Sequence, residues 1–152
     1  AAKQLSDIHT SPLIQAAVYH FCQRRLLERH LARSASEYGR RRLLLLGALS
    51  RRMPKGVSWT ETQGGFSLFL TLPEGRDAAA LLPKAMERGV SFTPGDAFFI
   101  DNGGERSLRL SFSAVPARRI DEGVRRLAQA IRETMRHPVS RAEAARSAVP
   151  LV

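Results

Sequence analysis

The chain has 152 residues, 43% of them hydrophobic and 25% charged. These proportions exclude a disordered chain and suit a globular protein large enough to bury a core. Its formal charge of +10 leaves nucleic-acid contact open, while a single cysteine, Cys22, excludes an intramolecular disulfide and fits a reducing compartment.

In chain order, Ser11-Pro12 starts a helix, because proline at the first helical position lacks only an amide hydrogen that would be unbonded there. Leu13, Ala17, Val18, Phe21, Cys22, Leu26, Leu27 and Leu31 recur at helical spacing and predict a core-facing stripe to about Arg33, with Cys22 as a buried, inert thiol. The run from Ser36 to Arg52 is also helical, weakened at Gly39 by about 1 kcal/mol relative to alanine, so one long bent helix or two are both open. Pro54-Lys55-Gly56 ends the helical part.

The period then changes. Val57–Thr62 and Phe66–Leu72 are rich in strand formers and flank Gln63-Gly64-Gly65, which predicts an antiparallel hairpin. Asp77 is placed to cap a helix bearing Leu81, Leu82, Ala85 and Met86, with Gly89 as its left-handed stop. Pro83 should kink or divide that helix. Val90–Thr93 predicts a short strand, Pro94-Gly95 a turn, and Ala97–Ile100 an apolar segment ended by Asp101-Asn102-Gly103-Gly104. Pro116 begins a last helix whose Ile120, Val124, Leu127, Ala128, Ile131 and Met135 form one stripe, with Asp121 and Glu122 near its positive end. Beyond His137-Pro138 the residues carry no stripe and predict a mobile tail.

Ser107–Ser113 carries the most chemical information. At a period of two, Leu108, Leu110 and Phe112 share one face and Ser107, Arg109, Ser111 and Ser113 the other. A guanidinium between small hydroxyl residues is open to a planar anion, such as a carboxylate, through two parallel hydrogen bonds. An arginine paired with a neighbouring acid on a solvated sheet face is the other reading. The order of elements predicts an α+β fold: long N-terminal helical segments, then a small mixed or antiparallel sheet with helices packed on it.

No self-contained catalytic set accompanies this strand. His9, His20, His30 and His137 lack partners at metal-ligand spacing, and neither Gly64-Gly65 nor Gly103-Gly104 has the surroundings of a phosphate loop. The longest leucine-rich run, Leu43–Leu49, is too short to span a bilayer, and no signal-peptide pattern is present, so no membrane contact and a cytoplasmic location are expected. Between Arg24 and Lys55 ten basic residues face two acidic ones. This charge motivates an alternative function, a basic helical module that binds nucleic acid or protein without catalysis, although the tract lacks interleaved aromatics.

Several pieces in fixed order carry a resemblance: Thr10-Ser11-Pro12 with Gln15; Arg29-His30-Leu31 with Tyr38 and Arg41-Arg42; Gln63-Gly64-Gly65-Phe66; Gly89-Val90 with Pro94-Gly95 and Phe98; and Leu108-Arg109-Leu110-Ser111-Phe112. Together, from about Lys3 to Met135, they resemble the C-terminal part of fold-type I pyridoxal-phosphate aminotransferases. The likeness is greatest to the aminotransferase-like domain of MocR/GntR-type transcription regulators and to 2-aminoadipate transaminase-like enzymes. It implies an interdomain helical segment over residues 1–52, an aminotransferase small domain over 53–136 and a tail over 137–152. It also implies that Arg109 binds the α-carboxylate of an amino-acid or 2-oxo-acid substrate, in either a transaminase or a ligand-sensing regulator with an upstream DNA-binding domain.

The resemblance further implies a homodimer that uses pyridoxal 5'-phosphate. The family's cofactor lysine, phosphate cradle and stacking aromatic would lie upstream of Ala1; Lys3, Lys55 and Lys84 lack the family's surroundings, so no cofactor and no activity are expected of the isolated chain. Without the large domain, the stripe from Leu13 to Leu31 is expected to drive self-association. Ala35 and Leu43 depart from the family's arginine and acid. Arg25 replaces its usual glycine, which favours a continuous helix there.

Overall fold

The structure is a computed structural model that describes residues 11–100 and 103–136. The chain divides into two compact units, with the division after Glu37. The predicted tail over 137–152, the histidines His9 and His137, and Lys3 lie outside the described residues.

In the first unit, helix α1 (Pro12–Gln23) starts at the predicted proline, with Ser11 at its N-cap. Ser11 helps through its backbone: its carbonyl accepts from Gln15 N at 3.1 Å, and its side chain makes no capping bond. The expected continuity past Arg25 does not hold. Arg25 takes a left-handed φ of 53°, its amide turns back to the Cys22 carbonyl at 2.9 Å, and helix α2 (Leu26–Arg52) begins one residue later. The turn is kept without its glycine, at a steric cost of about 1–2 kcal/mol for a residue with a Cβ. Helix α2 runs unbroken through Gly39. The predicted core-facing stripe is not buried either: α1 contributes no buried residue, Leu13, Val18 and Leu31 are exposed, and Cys22 is half-buried. An apolar stripe is buried only when an opposing surface exists, and a unit of this length supplies little of one.

The second unit holds the sheet. Strands β1 (Ser58–Trp59), β2 (Ser67–Thr71), β3 (Thr93–Pro94) and β4 (Ser107–Ser111) lie in the order β1-β2-β4-β3, and every pair is antiparallel. The β1–β2 hairpin turns where predicted, with Gly65 at φ 80°. The strand expected at Val90–Thr93 keeps only Thr93 and takes in Pro94, expected in a turn; it lies at the sheet edge, where a proline is tolerated because its missing N–H faces away from the ladder. Of the apolar segment expected at Ala97–Ile100, Ala97 and Phe98 belong to a 3-10 turn, Gly95–Phe98.

Helix α3 (Ala78–Glu87) is capped by Asp77, whose Oδ1 accepts from Ala80 N at 3.0 Å. It ends on Gly89 at φ 70°, with Val90 N donating to Ala85 O and Gly89 N to Met86 O, the paired bonds of a Schellman stop. Pro83 does not divide it; the helix continues through that residue. Helix α4 (Ala117–Arg136) buries Ile120, Val124, Leu127, Ala128 and Ile131 as its stripe predicts. Ile120, Val124, Leu127 and Ile131 form one core with Leu45 and Leu49 of α2, Leu81 and Ala85 of α3, and Leu68, Leu70, Leu108 and Leu110 of the sheet. Helices therefore cover one face of the sheet. Because side chains alternate along a strand, Phe69 and Arg109 point to the other face.

Charged contacts join the elements of this unit. Arg51 and Arg52, at the end of α2, both reach Asp121 on α4, with Arg51 Nη2 and Arg52 Nε at 3.1 and 3.0 Å from Oδ1. On α4 itself Arg125 and Arg126 grip Glu122 at 2.7 Å. Hydrogen bonds from Arg52 and Arg51 hold the Asp121 carboxyl below the usual aspartate range, and those from Arg125 and Arg126 lower Glu122 to about 2. Both groups have a folded value below the unfolded one. Their contribution is complete above the ordinary carboxylate range and is lost as pH falls through the folded values. Urea midpoints should accordingly drop between about pH 5 and pH 2. Asp121→Asn should lose the part of that pH dependence that Asp121 supplies; an unchanged pH profile in this variant would show that the pair is only a surface contact.

Candidate carboxylate site

Arg109 sits in the middle of β4, between two strands. Phe69 of β2 and Thr93 of β3 are its cross-strand partners. The guanidinium carbon stands 4.7 Å from the centroid of the Phe98 ring, and Phe98 meets Phe69 edge to face, at 5.4 Å and 87°. The side chain is half-buried. Its Nε is enclosed and has no hydrogen-bond partner. Among the described residues no acid pairs with Arg109.

The electrostatics follow from this geometry. A cation removed partly from water without a counter-ion is costly, and the aromatic face recovers only part of that cost. What remains is an attraction for an anion. The Phe98 ring lies beside the guanidinium, whose N–H bonds lie in its own plane, where a planar carboxylate can take two of them. The serines beside it contribute less than their proximity suggests. Ser111 Oγ lies 3.2 Å from Ser113 Oγ and 3.3 Å from the Phe66 carbonyl, so both hydroxyls already have protein partners.

The turn that carries Phe98 is held by a close backbone approach. A Cβ placed on Gly95 would lie 2.5 Å from Gly104 O and 2.7 Å from Ser107 O. Gly104, at φ 84°, is equally confined against Gly95. Backbone atoms cannot yield as a flexible side chain can. Gly95→Ala is expected to destabilise the fold by about 1–3 kcal/mol, read as a lower urea midpoint, because the turn must move off β4. A midpoint unchanged from the parent would refute this close packing.

The pyridoxal phosphate implied by the resemblance needs an amine for its aldehyde and donors for its phosphate. Lys84 lies on α3, on the helical side of the sheet away from Arg109, and Lys55 is in the exposed turn after α2. Among the described residues no amine stands on the Arg109 face, and none of the described glycines opens a phosphate loop. These residues do not by themselves fit the cofactor. They also form no cluster suited to a metal ion, and none of the described helices is long and apolar enough to cross a membrane.

Of the site residues named from sequence, Arg109 is the one predicted and the one around which the others gather. Phe98 and Phe69 were missed. Phe98 stands in the resemblance motif with no role attached, and Phe69 becomes a neighbour only through the β2–β4 register. Four arginines from the basic tract are engaged in this unit: Arg51 and Arg52 with Asp121, Arg41 with the Ser113 carbonyl and Arg42 with that of Thr62.

Comparison with known proteins bears on the same region. Residues 1–127 match the family model for aminotransferase class I and II. The chain is 38% identical to aromatic-amino-acid aminotransferase 1 of Thermococcus litoralis, over 89% of its own length and 32% of that protein. It superposes on the crystal structure of LysN, an alpha-aminoadipate aminotransferase from Thermus thermophilus complexed with N-(5'-phosphopyridoxyl)-L-leucine. That match has a TM-score of 0.78 and 37% identity, covering 89% of this chain and 34% of that one. It is also similar to the HTH-type transcriptional regulator YdcR of Escherichia coli, at 28% identity over 86% of this chain and 28% of the regulator. The chain thus spans about a third of the length of the first relatives it matches.

Proposed function

Because the chain belongs to the class I and II aminotransferases, we propose that it is the part of a pyridoxal-phosphate-dependent transaminase that receives the substrate's carboxylate. Arg109 is the receptor. The observation that carries this reading is a half-buried arginine with an enclosed, unpartnered Nε, no paired acid among the described residues and an aromatic ring beside its guanidinium. The described residues do not hold the cofactor, so the proposal assigns the cofactor and its lysine to the remainder of a longer protein. This chain's contribution is to bind and orient: two in-plane hydrogen bonds fix the carboxylate, and through it the direction of the substrate's α-carbon.

The ligand class is an amino acid or the matching 2-oxo acid, since both present the same planar anion. The aminotransferases of Thermococcus and Thermus support a transaminase. Similarity to YdcR supports a second reading, in which the same arginine serves a ligand-sensing domain of a transcription regulator. Kinetics of the full-length protein and its Arg109→Ala variant test the first. Loss of amino-acid turnover with the cofactor retained is expected, and an unchanged Michaelis constant would refute the role of Arg109. A coding sequence with a winged-helix region upstream, in a protein that turns over no amino acid, would favour the second.

A further inference from the structure

An arginine that must present its edge to a ligand has to be held against rotation about its own long side chain. Ion pairs do this elsewhere in the fold: Arg52 is fixed by Asp121 and Arg125 by Glu122. Arg109 has no such tie among the described residues. What touches its guanidinium is the Phe98 ring, with its centroid 4.7 Å from the guanidinium carbon. That ring is itself held edge-on by Phe69 and carried on a turn locked by Gly95 against Gly104.

We infer that Phe98 is the positioning residue of the carboxylate site: its ring fixes the plane of the Arg109 guanidinium so that a carboxylate meets the N–H edge. This inference rests on the proposed role of Arg109. Phe98 contributes no hydrogen bond and carries no charge. It acts through the ring quadrupole, which favours a flat stack with the cation and leaves the donors in the open plane. An aliphatic side chain of similar bulk fills the same space without that preference, so the guanidinium then samples orientations in which only one N–H faces the ligand.

The test titrates the full-length holoenzyme and its variants with 3-phenylpropanoate, and with 3-phenylpropanamide as the uncharged control. Phe98→Leu should weaken carboxylate binding by about tenfold, while Phe98→Tyr, which keeps the ring, should bind as the parent does. Amide binding should change little in either. Parent-like carboxylate affinity in Phe98→Leu, together with a large loss in Arg109→Ala, would overturn the inference and leave the role of Arg109 standing. Equal losses in Phe98→Leu and Phe98→Tyr would also overturn it, since bulk or folding would then be the cause. No preference for carboxylate over amide in the parent, or none lost in Arg109→Ala, would overturn the carboxylate receptor itself.

Discussion

Replacing Arg109 by alanine in the full-length protein should lower kcat/KM for an amino-acid substrate by about 10²–10⁴-fold. Each hydrogen bond to a charged group contributes about 1.5–3 kcal/mol, and a carboxylate takes two from one guanidinium. Arg109→Lys should recover only part of the loss, because an ammonium keeps the charge but not the planar pair of donors. The cofactor's absorbance should persist in both variants. Stability should move the other way from activity. Arg109 holds an enclosed Nε with no partner, so its removal relieves a desolvated donor, and the urea midpoint should stay level or rise. A variant that loses cofactor and stability together would make Arg109 a structural residue.

The second large effect lies one residue away, on the opposite face of the same strand. Leu108 is fully buried, paired with Leu70 and Pro94 across the sheet. Leu108→Ala removes methyl groups from a packed interior, which neighbouring backbone cannot refill, and should cost about 2–5 kcal/mol. For a protein of this size the total is about 5–15 kcal/mol, so a large share of the stability goes with one side chain. Leu43→Ala is the control. Leu43 is 63% exposed on α2, and its loss should stay within about 0.5 kcal/mol. Urea unfolding of the three proteins measures both; equal midpoints for the two variants would mean that the core does not rest on the leucine face of β4.

The alternation in Ser107–Ser113 was legible because a strand has only two faces, and the apolar one had to meet the helix bearing Ile120, Val124 and Leu127. The Asp77 cap and the Gly89 stop were legible for the same kind of reason: both depend on hydrogen bonds within a few residues. The helix break at Arg25 was not, because a left-handed turn normally shows itself as glycine and here is imposed on a residue that disfavours it. Pro83 misled in the opposite direction: a single proline is tolerated in a short helix whose other residues pack on the core. The stripe from Leu13 to Leu31 had the right period, yet a period specifies only which face is apolar, not that a surface exists to cover it.

The site itself divides in the same way. Arg109 could be picked from its strand, and the aminotransferase resemblance supplied a ligand for it. Phe69 needed the strand register and Phe98 the path of the turn, both set by residues distant in sequence. Gly95 read as an ordinary turn glycine. Its actual constraint is the backbone of Gly104 and Ser107 lying against it, which no local pattern announces.

A crystal structure of the full-length protein with an amino-acid substrate analogue bound tests the central claim most directly. Both carboxylate oxygens should lie about 2.7–2.9 Å from nitrogens of Arg109, in the plane of its guanidinium. A carboxylate held by other residues, with Arg109 turned to solvent or paired with an acid, would contradict it.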